Sequence, residues 1–138
     1  MSQSAKCLCG NVTIMPKNIN PEFTVCHCSM CRKWGGGPLF MMQCGTDVTV
    51  EGQEFVTEFD SSPWAKRAFC SSCGTHLYAR FKQTNSINVP VGLFPKVPEL
   101  TMSMQYFSDL KPKYYCFSNN TEEMTEAEIM AHFGSADS

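Results

Sequence analysis

The sequence predicts a mainly β fold of mostly antiparallel strands with one short C-terminal helix. Three observations carry that reading: short β-rich runs punctuated by Gly, Pro, Asn and Asp between Val12 and Phe117, nine cysteines gathered largely in clusters, and a helix-start signal near the C-terminus.

The strand-like runs are Asp47 to Val50, Glu54 to Phe59, His76 to Phe81 and Ile87 to Val91. Val48 and Val50 flank Thr49, and Leu77, Ala79 and Phe81 alternate with His76, Tyr78 and Arg80, the pattern of strands buried on one face. Thr125 to Glu128 reads TEAE, a capping box, followed by Ile129, Met130 and Phe133 and then by Gly134 as a helix stop. Ser135 to Ser138 reads as a fraying tail. No linker or internal repeat divides the chain, so residues 1–138 are expected to form one unit, with a core over about 5–117 and a helix over about 125–133.

A chain of 138 residues, 43% hydrophobic and only 17% charged, can bury a core without a metal to hold it together. Eleven basic against thirteen acidic residues, with no basic block, argue against a nucleic-acid partner. The start MSQSAKCLCG has no apolar signal core, and no apolar run approaches the roughly 20 residues of a membrane span. The expected location is the cytosol, with no membrane partner. In that reducing compartment clustered cysteines point to metal rather than to disulfides.

Seven of the nine cysteines stand at ligand spacing: Cys7 and Cys9, then Cys26, Cys28 and Cys31, then Cys70 and Cys73. Cys7 and Cys9, two apart in an extended segment, can turn both sulfurs to one side. Cys70 and Cys73 form a knuckle, and Gly10 and Gly74 follow the two pairs where a positive φ closes such a turn. Together the pairs make a four-cysteine zinc site with no free corner, which is structural chemistry. The run VCHCSMCRKWGGGP offers three thiolates from one short loop, leaving a fourth corner for a ligand. Seven thiolates exceed what one tetrahedral ion can take, so two zinc ions per chain are expected.

Arg32 and Lys33 are cations able to meet a carboxylate, and Gly35, Gly36 and Gly37 would let backbone approach a ligand closely. An open zinc there could act as a Lewis acid and hold a small anionic thiol. The rival is a second structural site closed by His27, Cys44 or Cys116. His27, between two same-face cysteines, should point away from them; Cys44 and Cys116, in the apolar contexts MMQC and YYCF, read as buried thiols. His76 is either a group supporting the site or a half-exposed strand histidine, and Trp34 either lines the pocket or caps the core.

The motifs KCLCGNV, CHCSMCRK and RAFCSSCGTHL resemble those of the glutathione-dependent formaldehyde-activating enzyme family, which is related to centromere protein V, in a match that covers roughly Ala5 to Phe117. The resemblance implies a β-tent fold. It implies a structural zinc on Cys7, Cys9, Cys70 and Cys73 and a labile active-site zinc on Cys26, Cys28 and Cys31. It further implies carbon–sulfur lyase chemistry on a thiol–aldehyde adduct, S-(hydroxymethyl)glutathione, with glutathione and a small aldehyde as partners. Two alternatives follow from the same residues: a zinc-dependent thiol carrier without turnover, and a purely structural two-zinc interaction protein resembling zinc-bearing chaperones.

Overall fold

The computed structural model describes residues 3–133, so the chain's first two residues, the helix stop read at Gly134 and the tail beyond it lie outside the described residues. Among the described residues eleven strands form two sheets. The smaller sheet has the order β1 (Ala5–Lys6), β2 (Thr13–Pro16) and β5 (Val48–Glu51). The larger has eight strands: β11 (Glu122–Met124), β10 (Thr101–Tyr106), β3 (Glu22–Cys26), β4 (Leu39–Gln43), β9 (Ile87–Pro90), β8 (His76–Phe81), β7 (Ala65–Cys70) and β6 (Val56–Asp60). Two helices complete the described chain, α1 (Ser29–Gly35) and α2 (Glu126–Phe133).

The mainly β expectation holds, and so does the C-terminal helix. The capping box forms as read: the Glu128 N–H donates to Thr125 Oγ1 at 3.2 Å, and the Thr125 N–H donates to Glu128 Oε1 at 2.8 Å. β8 spans the expected residues. The run read as Glu54 to Phe59 splits into a 3₁₀ turn, Gln53–Phe55, and β6, and Val91 leaves β9 for a second 3₁₀ turn.

Two ladders are parallel, not antiparallel: β10 runs parallel to both β3 and β11. Hydrophobic alternation sets which face of a strand is buried but not which strand it meets, and β3 and β10 are joined only by a long stretch of chain. The alternation read in β5 is present, with Val48 and Val50 turned inward between exposed neighbours. In β8 it breaks down, because Leu77, Tyr78 and Ala79 are all buried. β8 is an interior strand, and Ala79 packs with Cys31 on the face opposite the main core, so both of its faces are covered.

The main core lies between the sheets. Ala5 and Ile14 from the smaller sheet meet Met42, Ala68, Leu77 and Val89 from the larger. Each of the larger side chains, fully buried, contributes roughly 1.5–3 kcal/mol. Among the described residues no helix is long and apolar enough to cross a membrane.

Strand β6 is an edge, and polar pairing anchors it. Arg80 on β8 grips Glu58 with Nη2–H at 2.6 Å from Oε1 and Nε–H at 3.2 Å from Oε2, while the Tyr78 hydroxyl donates to Oε2 at 2.7 Å. The Arg80 contact first, and the Tyr78 hydroxyl with it, outweigh burial and hold the Glu58 carboxyl below its usual value of 4.5. A folded-state value below the unfolded one means stability that is present above the unfolded value and lost as pH falls through the folded one. Glu58→Gln should therefore lower stability at pH 7 by on the order of 1 kcal/mol, the pair being partly exposed. The gap between variant and parent in denaturant melts should close as the pH falls below the carboxyl's usual 4.5 and through its lowered folded-state value; a gap independent of pH would show that the carboxylate's charge is not what anchors β6.

Candidate metal centres and the cleft beside them

The four-cysteine cluster joins segments far apart in sequence. β1 stops at Lys6, and Cys7 and Cys9 sit in a turn rather than in the extended segment expected from their spacing. The Cys7 N–H donates to the Val12 carbonyl and the Gly10 N–H to the Cys7 carbonyl, both at 3.1 Å, with Gly10 at φ 83°. That reversal aims both sulfurs at one point without strand geometry. Opposite them, Cys70 ends β7 and Cys73 lies in the turn to β8, where the Gly74 N–H donates to the Cys70 carbonyl at 2.7 Å and Gly74 takes φ 80°. The positive φ expected at both glycines is present.

All four sulfurs lie within 4.8 Å of one another, with Cys7 to Cys9 at 3.5 Å and Cys9 to Cys70 at 3.8 Å. Four sulfurs bonded at about 2.3 Å to a tetrahedral ion stand about 3.8 Å apart, so the donor set fits a metal. Thr75 ties the halves together, its hydroxyl oxygen accepting from the Leu8 N–H at 3.0 Å and lying 3.1 Å from Cys73 Sγ. The Thr75 hydroxyl and N–H draw the Cys73 thiol down to about 5. At Cys9 the Asn11 N–H pulls the other way but is outweighed by burial and by the neighbouring sulfurs, so its thiol rises to about 11. Without a cation the cluster therefore shares protons among its sulfurs.

The second cluster lies across the β3–α1 junction. Cys26 ends β3, Cys28 is the N-cap of α1 and Cys31 is in its first turn, the three sulfurs again within 4.8 Å. Cys28 Sγ accepts the Cys31 N–H at 3.3 Å, standing where a Ser or Asp would cap a helix. That sulfur also takes hydrogen bonds from the Cys26 and Cys31 thiols, which together hold Cys28 far below the usual thiol range. The hydrogen bonds to Cys28 and then to Cys31, with burial after them, push the Cys26 thiol far up in turn. No other His, Cys, Asp or Glu among the described residues joins the three.

The candidates for a fourth ligand are engaged elsewhere. His27 is fully buried, its ring turned away from the cysteines that flank it, with Nε2 at 2.8 Å from Gln105 Oε1 and Nδ1 at 2.7 Å from the Tyr115 hydroxyl. The Gln105 oxygen can only accept, because the amide nitrogen of Gln105 donates to Thr121, so Nε2 carries the proton and Nδ1 accepts from Tyr115. Cys44 is buried in the main core, and burial lifts its thiol to about 12. Cys116, read as buried, is exposed, because YYCF lies outside any strand.

Helix α1 was not foreseen, and it changes what RKWGGG does. Gly35 closes the helix and Gly36 forms its left-handed cap at φ 83°, its N–H returning to the Arg32 carbonyl at 2.8 Å. Arg32 uses Nε–H to hold the His27 carbonyl at 2.9 Å, while Lys33 is exposed. Met30, Lys33 and Trp34, three and four residues apart, form one helix face. With Phe59, Ser61 and Arg67 they line a cleft of about 250 Å³.

Arg67 is the residue that sequence reasoning missed. It is 7% exposed, reaches Cys31 Sγ with Nη2–H at 3.4 Å, lies 5.9 Å from the Trp34 ring centre, and leaves Nε without a partner. The signal available was a basic residue in a strand three positions before a cysteine knuckle. Trp34 does both things asked of it, lining the cleft and packing against Cys31 and Leu39. His76 stacks on it at 4.0 Å between ring centres, and burial first, then the Arg67 charge, lower its pKa, so it is neutral at pH 7.

The comparisons with known proteins agree with this geometry. The family model described as glutathione-dependent formaldehyde-activating enzyme matches residues 2–110. A Schizosaccharomyces pombe protein named as an uncharacterised lyase is 35% identical over 127 residues, covering 90% of this chain and 91% of its own. A crystal structure of a Rhodobacter sphaeroides protein superposes with a TM-score of 0.57 at 27% identity, covering 68% of this chain and 89% of that one. With both cysteine clusters inside the matched span, the chain belongs to the glutathione-dependent formaldehyde-activating enzyme family.

Proposed function

We propose that the protein is a zinc-dependent carbon–sulfur lyase that makes or splits the adduct of a small thiol, such as glutathione, with a small aldehyde. The observation that carries this reading is the three-sulfur cluster at the β3–α1 junction with no fourth Cys, His, Asp or Glu donor among the described residues. Family membership and the lyase name of the fission-yeast relative support the reaction class.

Cys7, Cys9, Cys70 and Cys73 would hold one zinc with every corner filled, and Cys26, Cys28 and Cys31 would hold the other. Zinc bound by three thiolates supplies Lewis acidity and favours the deprotonated form of an incoming thiol. In the addition, the thiol sulfur bonds to the carbonyl carbon, the C=O π pair moves to oxygen, and that oxygen gains a proton as the thiol loses one; cleavage is the reverse. The chain's own groups set the stage. Cys28 keeps α1 aimed at the site, the Arg67 N–H on Cys31 Sγ draws charge from one ligand, and Trp34 with His76 walls one side from water.

Metal analysis of protein purified without chelator should give two zinc ions per chain. Glutathione should bind with release of a proton, and more tightly as pH rises through neutrality, whereas S-methylglutathione should bind at least roughly tenfold more weakly. Calorimetry in two buffers of different ionisation enthalpy reads affinity and proton release together. Equal binding of the two peptides without proton release would sink thiol ligation; thiol binding with no adduct formed or cleaved would leave a carrier in place of a lyase.

A further inference from the structure

The cleft beside the three-sulfur cluster carries more positive charge than the fold itself uses. Arg67 and Lys33 both line it, and neither is in an ion pair among the described residues. The nearest carboxylates on β6 are committed elsewhere, Glu58 to Arg80 and Asp60 to Lys82. His76, neutral, adds no charge and competes for no anion. Arg67 is the more telling of the two cations. A guanidinium 7% exposed with a single sulfur contact and an orphaned Nε–H is costly unless something else partners it.

We infer that the cleft is a carboxylate seat, in which Lys33 and Arg67 receive the carboxylate of the thiol substrate while its sulfur reaches the three-cysteine cluster. The guanidinium touches Cys31 Sγ at 3.4 Å, so a carboxylate on Arg67 and a sulfur at the cluster stand only a short aliphatic chain apart. Met30, Trp34 and Phe59 provide the apolar wall along which that chain lies. The seat selects thiol acids over neutral thiols of the same size. It also moves the anion contact from the sequential pair Arg32 and Lys33 to one residue of α1 and one of β7, because Arg32 does not line the cleft and turns its Nε–H to the His27 carbonyl. This inference rests on the thiol–aldehyde reading and narrows its substrate class.

The test uses the zinc-loaded full chain and a matched pair of probes, 3-mercaptopropanoate and its neutral amide, with affinities read by calorimetry at physiological salt. The wild type should prefer the acid by roughly 10- to 100-fold, the range of charge-assisted hydrogen bonds. Lys33→Met and Arg67→Met should each cut that preference sharply, and Lys33→Met should leave the affinity for the amide near its original value. Lys33 is exposed, so its variant answers the question even if Arg67→Met fails to fold. An acid preference that survives in Lys33→Met overturns the seat, since it would mean that the carboxylate chelates the ion or sits elsewhere. Loss of the preference in Arg32→Met alone overturns it by returning the contact to the sequential pair. Equal binding of acid and amide to the wild type overturns the seat and leaves thiol ligation standing, whereas binding of neither overturns both.

Discussion

Cys70→Ser should abolish cooperative folding or lower the melting temperature by more than about 15 °C, the largest effect expected of any single substitution in this chain. Cys70 is fully buried, ends β7, and helps bind the Cys7–Cys9 turn to the β7–β8 hairpin across more than sixty residues of sequence. Apparent binding energies of structural zinc, about 10–16 kcal/mol, rival the whole stability of a domain, about 5–15 kcal/mol. Removing one of four ligands also leaves three sulfurs crowded within 4.8 Å with no cation to settle their protons. Thermal denaturation followed by circular dichroism, with and without added zinc, measures this. A variant melting within a few degrees of the parent would show that the cluster is an accessory to a core that already suffices.

Cys28→Ser should leave the fold nearly intact, lower the zinc content by one ion per chain, and weaken glutathione binding by at least roughly 100-fold. The variant is clean for a structural reason. Cys28 Sγ caps α1 by accepting the Cys31 N–H, and a serine hydroxyl performs that task at least as well, so the helix keeps its start while the metal loses a thiolate. The segment from Cys26 to Cys31 is local, and its loss as a ligand set unties no distant strands. Metal analysis, a melting curve and thiol calorimetry on the same preparation read the three expectations. Collapse comparable with that of Cys70→Ser would make the second cluster structural too.

What could be read in the sequence was whatever one residue's chemistry or a short spacing determines. The capping box at Thr125, the turn glycines Gly10 and Gly74 and strand β8 depend on near neighbours and came out as read. The seven clustered cysteines gathered into the two groups that their spacing suggested. Helix α1 escaped because it is only seven residues long, buries only Cys31, and starts on a cysteine, a residue whose usual reading is not a cap. The parallel pairing of β10 escaped because periodicity names faces and not partners. Arg67 escaped for a related reason: its neighbours Cys31 and Trp34 are more than thirty positions away, and only the packing of α1 against the sheet brings them to it. The aromatic packing of Tyr115 and Phe117 on His27 is equally remote in sequence, and Tyr115 is drawn from a stretch beyond the span of the family model.

The β7–β8 hairpin touches both sulfur clusters at once. Arg67, at the cleft, and Cys70, at the four-sulfur cluster, are three residues apart on one strand, a span of about 10 Å. On the return strand His76, stacked beneath Trp34, follows Cys73 at the same interval. One end of this short hairpin therefore forms a wall of the cleft, and the four-sulfur cluster stands at the other end. Slackening that end would tilt the guanidinium and the imidazole out of register with α1 while most of the sheet stayed paired. On the function proposed above, a substitution among Cys7, Cys9, Cys70 and Cys73 would then reach the cleft through Arg67 and His76, without touching a residue that lines it.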